Sequence, residues 1–355
     1  MKKALIFDPY LDMLGGGERY VLTFALGLIK QGFEVEFAWP DKTTLSQATV
    51  RFGLDISPIK VNSVAYDLCR QKISLWQKIR FTKKYDLIFW VSDGSLPFLF
   101  SKNNLIHLQV PFVNIGGSKL INALKSFFIN KFVYNSEFTK NVHEKNLDHK
   151  KSFVLYPPVD VESLSVGNKE NIILSVARFS SRMTSKRQDV LIDAFRSFSS
   201  KIPGYKLILT GGLVGDTSII ENLKKQANGL NVEIIPNPDF NQLKALYSKA
   251  KFFWHTAGLG IDEEKEPEKV EHFGITTVEA MASGCIPLVI NKGGQKEIVT
   301  PGTGFLCAEK EEIIAKTLHL ISNPQESSQI AKQAIVRSQE FSTSKFYEKI
   351  KTLIS

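Results

Sequence analysis

The chain has 355 residues, 43% of them hydrophobic and 23% charged, with 45 Lys and Arg against 36 Asp and Glu. This composition excludes a disordered chain, the length favours two domains over one, and no apolar run approaches the ~20 residues of a membrane-spanning helix. The net charge of +9 is uneven: residues 1–160 hold 21 basic against 14 acidic side chains, and residues 161–355 hold 24 against 22.

A basic first half suits an anionic partner such as a membrane surface, a phosphorylated acceptor or nucleic acid. No aromatic-basic recognition motif accompanies the charge, so nucleic acid is not the expected partner. Cys69, Cys285 and Cys307 are odd in number and lack metal-ligand spacing, which points to free thiols in a reducing cytoplasm.

Apolar strands alternate with amphipathic helices, the α/β pattern of parallel sheets covered on both faces. Ala4 to Phe7 is the first strand, since Asp8 and Pro9 end the run too early for a secretion signal. Gly15-Gly16-Gly17 precedes a helix running to about Lys30. Such a turn either brings backbone amides to a ligand or is merely flexible. Val35 to Ala38 is the second strand, and residues 43–66 carry no clear period.

Arg70 to Tyr85 reads as one helix, with Ile73, Trp76 and Ile79 among Lys and Arg. Lys119 to Lys131 is similar, with Leu120, Leu124, Phe127 and Phe128. Each stripe either packs on the sheet or rests on an anionic bilayer. Leu87 to Val91 and Leu105 to Leu108 are strands. The second carries His107 at its C-terminal edge, where a histidine is either structural or faces a ligand. Phe132 to Tyr134 leads through Asn135-Ser136 into a helix. Pro157-Pro158 then opens an interdomain linker, which places domains at residues 1–160 and 161–340.

In the second half, strand Ile172 to Val176 is followed by Arg178 and, on a loop, Lys186, with Arg182 and Arg187 nearby. These bases either reach a diphosphate or are plain surface charge. Leu207 to Leu209 ends in Thr210-Gly211-Gly212, and Val232 to Ile235 ends in Pro236-Asn237-Pro238. After strand Phe252 to His255 comes a loop, 257–271, with six acidic residues, expected to be solvated or to act as a lid.

That loop ends in Glu271-His272-Phe273-Gly274-Ile275-Thr276-Thr277-Val278-Glu279. A helix starting near Gly274 would leave the amides of Ile275, Thr276 and Thr277 as unpaired donors at its positive end, a site for phosphate. Two glutamates beside an anion pocket make sense if they meet hydroxyls, Glu271 on a hexose and Glu279 on a ribose. The plain alternative is an amphipathic helix with solvated glutamates.

The run Glu271 to Gly284 resembles the Glu-seven-residues-Glu motif of retaining glycosyltransferases of family 4. The resemblance implies the GT-B fold: two facing Rossmann-like, doubly wound domains with the active site in the cleft between them. It also implies that the final helix, 341–355, returns to the first domain. By the same resemblance Gly16 and Gly17 face the cleft and His107 lies near the transferred sugar. Arg178 and Lys186 match an Arg…Lys donor motif, with Ala177 in place of its usual Gly and a longer gap. The loops at Gly211 and Asn237 approach the nucleotide.

The implied reaction moves a hexose from a nucleotide diphosphate sugar to a saccharide or lipid-linked acceptor, without metal or cofactor. His-Phe-Gly-Ile resembles mannosyltransferases acting on lipid-linked oligosaccharides, which favours GDP-mannose over a UDP sugar. A cytoplasmic enzyme, peripheral on the membrane, is expected. The rival of similar fold, a sugar-nucleotide epimerase, needs acid and base carboxylates but no acceptor.

Overall fold

A computed structural model describes residues 1–180 and 186–355, so that Arg182 lies outside the described residues. The chain divides into two compact units, Met1–Pro158 with Ser344–Ser355, and Val159–Thr343.

In the first unit, β1 (Lys2–Phe7) leads to α1 (Gly16–Lys30), β2 (Phe33–Ala38), α2 (Thr43–Phe52), β3 (Lys60–Val61), α3 (Ser63–Arg70) and α4 (Leu75–Thr82). Then come β4 (Leu87–Val91), β5 (Asn103–Leu108), α5 (Lys119–Phe127), β6 (Lys131–Tyr134), α6 (Glu137–His143) and β7 (Ser152–Val154). The seven strands run parallel in the order β3-β2-β1-β4-β5-β6-β7. The central strands are buried on both faces, as helical crossovers require, and so read as apolar runs: Ala4, Leu5, Ile6 and Phe7 are all in the core.

The second unit runs β8 (Glu170–Val176), α7 (Gln188–Ser199), β9 (Lys206–Gly211), α8 (Ser218–Gln226), β10 (Val232–Pro236), α9 (Phe240–Lys249) and β11 (Ala250–His255). It continues with α10 (Ile275–Ala282), β12 (Ile286–Ile290), α11 (Gln295–Ile298), β13 (Phe305–Cys307), α12 (Lys310–Ser322) and α13 (Pro324–Ser338). Its six parallel strands are ordered β10-β9-β8-β11-β12-β13. Lys169 extends its ammonium to the carbonyls of Tyr247 and Ser283, which neutralises orphan acceptors at the C-terminal ends of α9 and α10.

The last helix, α14 (Thr343–Ile354), buries Phe346, Ile350 and Leu353 in the core of the first unit. Gly27 of α1 lets it come close, since a methyl group there would collide with Ile350.

The structure departs from the sequence reading at Arg70 to Tyr85. The expected helix is shorter: α3 ends at Arg70, Gln71 to Ser74 is not helical, and α4 covers only Leu75–Thr82. Ser74 caps α4: its hydroxyl accepts the Gln77 amide at 3.2 Å, while the Gln77 side chain takes the Ser74 amide at 2.9 Å. Nor does the stripe of the second basic segment pack on the sheet, for α5 buries no residue at all. Phe128 is half-buried beside it, whereas Leu120, Leu124 and Phe127 are exposed. The three cysteines are free.

Asp8, just past the end of β1, is fully buried. Oδ1 accepts the Tyr10 amide at 2.9 Å, and Oδ2 has no partner among the described residues. Burial, reinforced by the nearby Glu18 and Asp12 charges, pushes its carboxyl up to about 8 from 3.8. The folded chain therefore keeps a proton that the unfolded chain releases. Stability from this group is complete below pH ~4 and is lost as pH rises through about 8, at about 1.4 kcal/mol per unit. Asp8→Asn removes the titration. Urea unfolding at pH 5 and pH 8 should show the variant gaining on the parent as pH rises, and an unchanged difference would refute the burial argument.

Candidate active site

In each sheet the strand order reverses once, between β1 and β4 in the first unit and between β8 and β11 in the second. Carboxyl ends of strands diverge at such a switch point and leave a crevice for a ligand. In the second unit the two strand ends carry Arg178, two residues beyond β8, and His255, the last residue of β11.

Glu271 is the centre of this site. Its Oε2 accepts a hydrogen bond from Lys186 Nζ at 2.8 Å and another from His255 Nε2 at 2.9 Å. All three side chains are largely buried, at 18%, 14% and 2% exposure for Glu271, Lys186 and His255. Burial alone would raise the Glu271 carboxyl. The Lys186 ammonium and the His255 hydrogen bond outweigh it and hold the group well below the usual carboxylate range. His255 Nδ1 is buried without a partner among the described residues.

The main chain fixes these three groups. The Thr256 hydroxyl donates to the carbonyls of Lys186 and Arg187 at 3.3 and 3.0 Å, tying that loop to the end of β11. The Gly294 amide donates to the Glu271 carbonyl at 2.8 Å. The acidic loop is anchored, not merely solvated: Glu263 accepts the Gly293 amide at 2.6 Å and pairs with Lys296 at 2.8 Å.

Three residues after Glu271, Gly274 starts α10 with φ 120° and ψ 55°, a conformation that favours glycine. A methyl group there would also lie 2.8 Å from the Gln295 side chain. The Thr277 amide turns back to the Gly274 carbonyl at 3.0 Å. It is therefore not an open donor as expected, and the first-turn amides without a partner among the described residues belong to half-exposed Ile275 and Thr276. Gln295 is fully buried with neither amide atom partnered among the described residues.

Other expected residues are placed differently. Arg178 is exposed, and no carboxylate pairs with it among the described residues. Gly211 has φ 148°, and a side chain there would collide with the Ala177 carbonyl. Asn237, at φ 52°, spends its side-chain oxygen on the Leu213 amide at 2.8 Å. Glu279 is buried and accepts the Tyr247 hydroxyl at 2.9 Å, so it is not a solvated helix glutamate. Phe273 is a core residue, packed edge-on against Phe341 at 5.4 Å.

In the first unit, Gly16 and Gly17 form the first turn of α1, which begins earlier than expected. The Glu18 carboxylate takes the Gly15 amide, and Gly17 abuts the Gln109 side chain. His107 is entirely buried. It stacks on Tyr20 with centroids 4.3 Å apart and lies 5.4 Å from Phe89. Nδ1–H donates to the Val133 carbonyl at 3.1 Å, and burial lowers the ring's pKa to about 3. His107 is thus a neutral ring in an aromatic stack, with Nε2 buried and unpartnered among the described residues.

Sequence reading missed His255, Thr256, Tyr247 and Gln295 as site residues. The one available signal was the position of His255 at a strand's C-terminal edge. Among the described residues no group of three or more His, Cys, Asp or Glu is placed to hold a metal ion.

Comparison with known proteins gives this geometry a family. Residues 159–337 match the model of the glycosyl transferases group 1, and residues 14–163 match that of glycosyltransferase family 4. An uncharacterized glycosyltransferase of Haemophilus influenzae is 26% identical over the whole of both chains. The human GDP-Man:Man(3)GlcNAc(2)-PP-Dol alpha-1,2-mannosyltransferase is 33% identical over 54% of this chain and 41% of its own length.

Among solved structures, a glycosyltransferase of Rickettsia africae matches with TM-score 0.78 at 19% identity, covering 99% of this chain and 97% of that one. Anabaena Alr3699/HepE, solved in complex with UDP and glucose, matches with TM-score 0.72 at 19% identity over 99% of both chains. Two Rossmann-like parallel sheets, the match over more than half the chain and these GT-B neighbours lead to one conclusion: the protein is a glycosyltransferase of the group 1 family.

Proposed function

We propose that the chain moves a hexose from a nucleotide diphosphate sugar to a hydroxyl of a saccharide or lipid-linked acceptor, with retention of anomeric configuration and without metal. GDP-mannose is the favoured donor, on the strength of the likeness of part of the chain to mannosyltransferases. The observation that carries the reading is the ionised Glu271, gripped by Lys186 and His255 four residues before the first of the open amides of α10.

In this reading those amides receive the diphosphate, and Glu271 accepts hydrogen bonds from the hexose hydroxyls. Lys186 and Arg178 offset the negative charge that grows on the leaving diphosphate, and fixed charge of this kind is commonly the largest catalytic contribution. Glu279, held by Tyr247, takes the ribose hydroxyls. The anomeric C–O bond to the diphosphate breaks, the acceptor oxygen bonds to that carbon from the same face, and its proton passes to the leaving phosphate. His107 has no part in this scheme. Arg182 remains a candidate phosphate ligand by sequence alone.

Glu271→Gln and Lys186→Met should each lower kcat by roughly 10²–10³-fold with donor saturating. Near-normal turnover in both would sink the assignment, and circular dichroism controls for folding. In a thermal-shift screen of GDP-, UDP- and ADP-sugars, GDP-mannose should raise Tm most, by mass action on the native state. A larger shift with a UDP sugar would reassign the base, and free sugar or an epimer in place of a glycoside would favour an epimerase. EDTA should leave turnover unchanged; full loss would overturn metal independence.

A further inference from the structure

One face of the first unit exposes apolar groups that the chain itself does not cover. On α4, Trp76 is 72% exposed and Leu75 56%. On α5, Leu120 is 83%, Phe127 77% and Leu124 55% exposed. A nine-residue helix with no buried side chain is marginal in water, because short helices depend on packing one face. Contiguous exposed apolar groups of this size mark an interaction surface.

The two helices belong to one patch. The Thr82 hydroxyl, at the end of α4, accepts the Phe100 amide at 3.1 Å, and the Phe100 ring packs on Phe128 just past α5 with centroids 4.8 Å apart. Lys125 lies 5.5 Å from the Phe98 ring centroid. From there an aromatic row runs through Phe100 and Phe128 to Phe127, with the last two centroids 5.3 Å apart.

The charge of this patch is of one sign. Residues 68–85 and 94–136 contain no Asp or Glu and hold ten Lys and Arg. Lys102 pairs with Asp86. Among the described residues no carboxylate pairs with Lys72, Lys78, Lys119 or Lys125. Apolar side chains on helices that also carry these lysines complement a surface that is negative outside and apolar beneath.

We propose that this face docks on an anionic lipid bilayer, with Trp76, Leu120, Leu124 and Phe127 entering the boundary between headgroups and acyl chains and the lysines resting on lipid phosphates. A second copy would bring like charges together. Nucleic acid would engage the lysines and aromatic rings but give no role to Leu120 and Leu124, which cannot stack on bases. Each basic residue near an anionic surface strengthens binding by about fivefold, an effect that salt removes. The docking does not depend on the proposed sugar transfer, since lipid binding is read without donor or acceptor.

The test is co-sedimentation of the whole protein with phosphatidylglycerol–phosphatidylcholine vesicles and with phosphatidylcholine alone. Wild type should pellet with the anionic vesicles at low salt and be released at high salt. Leu120→Ser/Leu124→Ser/Phe127→Ser should lower partitioning by about tenfold or more. Lys78→Glu/Lys125→Glu should remove the preference for phosphatidylglycerol. Wild-type tryptophan fluorescence should shift to the blue on anionic vesicles and Trp76→Phe should abolish that shift, a readout that does not depend on α5 surviving the serine substitutions.

Wild type remaining in the supernatant with anionic vesicles would overturn the proposal. So would a concentration-dependent dimer that the serine variant dissolves, or RNA binding that outcompetes vesicles.

Discussion

One carboxylate between two nitrogen donors governs the second unit. Glu271 is too buried to stay ionised alone, and Lys186 and His255 are what keep it charged. The three side chains come from separate segments, so the contact closes two long loops at once. Removing a partner from such a cluster leaves an uncompensated charge in a poorly hydrated place, which costs more than the pair contributes while intact. The cluster is therefore better explained as a means of fixing geometry than as a source of stability. Its function in this reading is to keep a strong acceptor, already ionised and aimed, where a polyhydroxyl ligand arrives.

Backbone crowding supports the same geometry. Gly294 donates to the Glu271 carbonyl, and side chains at Gly293 or Gly294 would collide with the main chain of the Glu271–Phe273 segment. Gly274 then turns the chain into α10 at an angle that substituted residues resist. The carboxylate and the positive end of α10 are thus held at a set spacing by a main chain with little room to relax. Electrostatic preorganisation depends on this kind of rigidity, because dipoles that need not reorient lose nothing when charge develops.

Much of this was legible in the sequence, for identifiable reasons. Strands such as Ala4 to Phe7 and Leu87 to Val91 read clearly because burial on both faces leaves continuous apolar runs. The α/β class follows from their alternation with amphipathic helices. Glu271 and Lys186 could be named, but not their contact, since one-dimensional spacing says nothing of a bond across 85 residues. His255 was hidden because it ends an ordinary apolar strand. The stack of His107 on Tyr20 and Phe89 could not be read either, because a strand-end histidine looks alike in sequence whatever it packs against. The break at Gln71–Ser74 was missed although Ser74 and Gln77 spell a capping box, because the apolar period carries across it.

The placement of α14 has a consequence for biogenesis. Phe346, Ile350 and Leu353 follow every residue of the second unit in the chain yet fill the core of the first. During vectorial synthesis the first sheet emerges from the ribosome with that groove along α1 empty, and it stays so while the whole second unit is made. The first unit therefore cannot reach its final packing as an early, autonomous intermediate. An apolar channel beside Gly27 is left open to chaperones, or to the wrong helix, until α14 has been delivered.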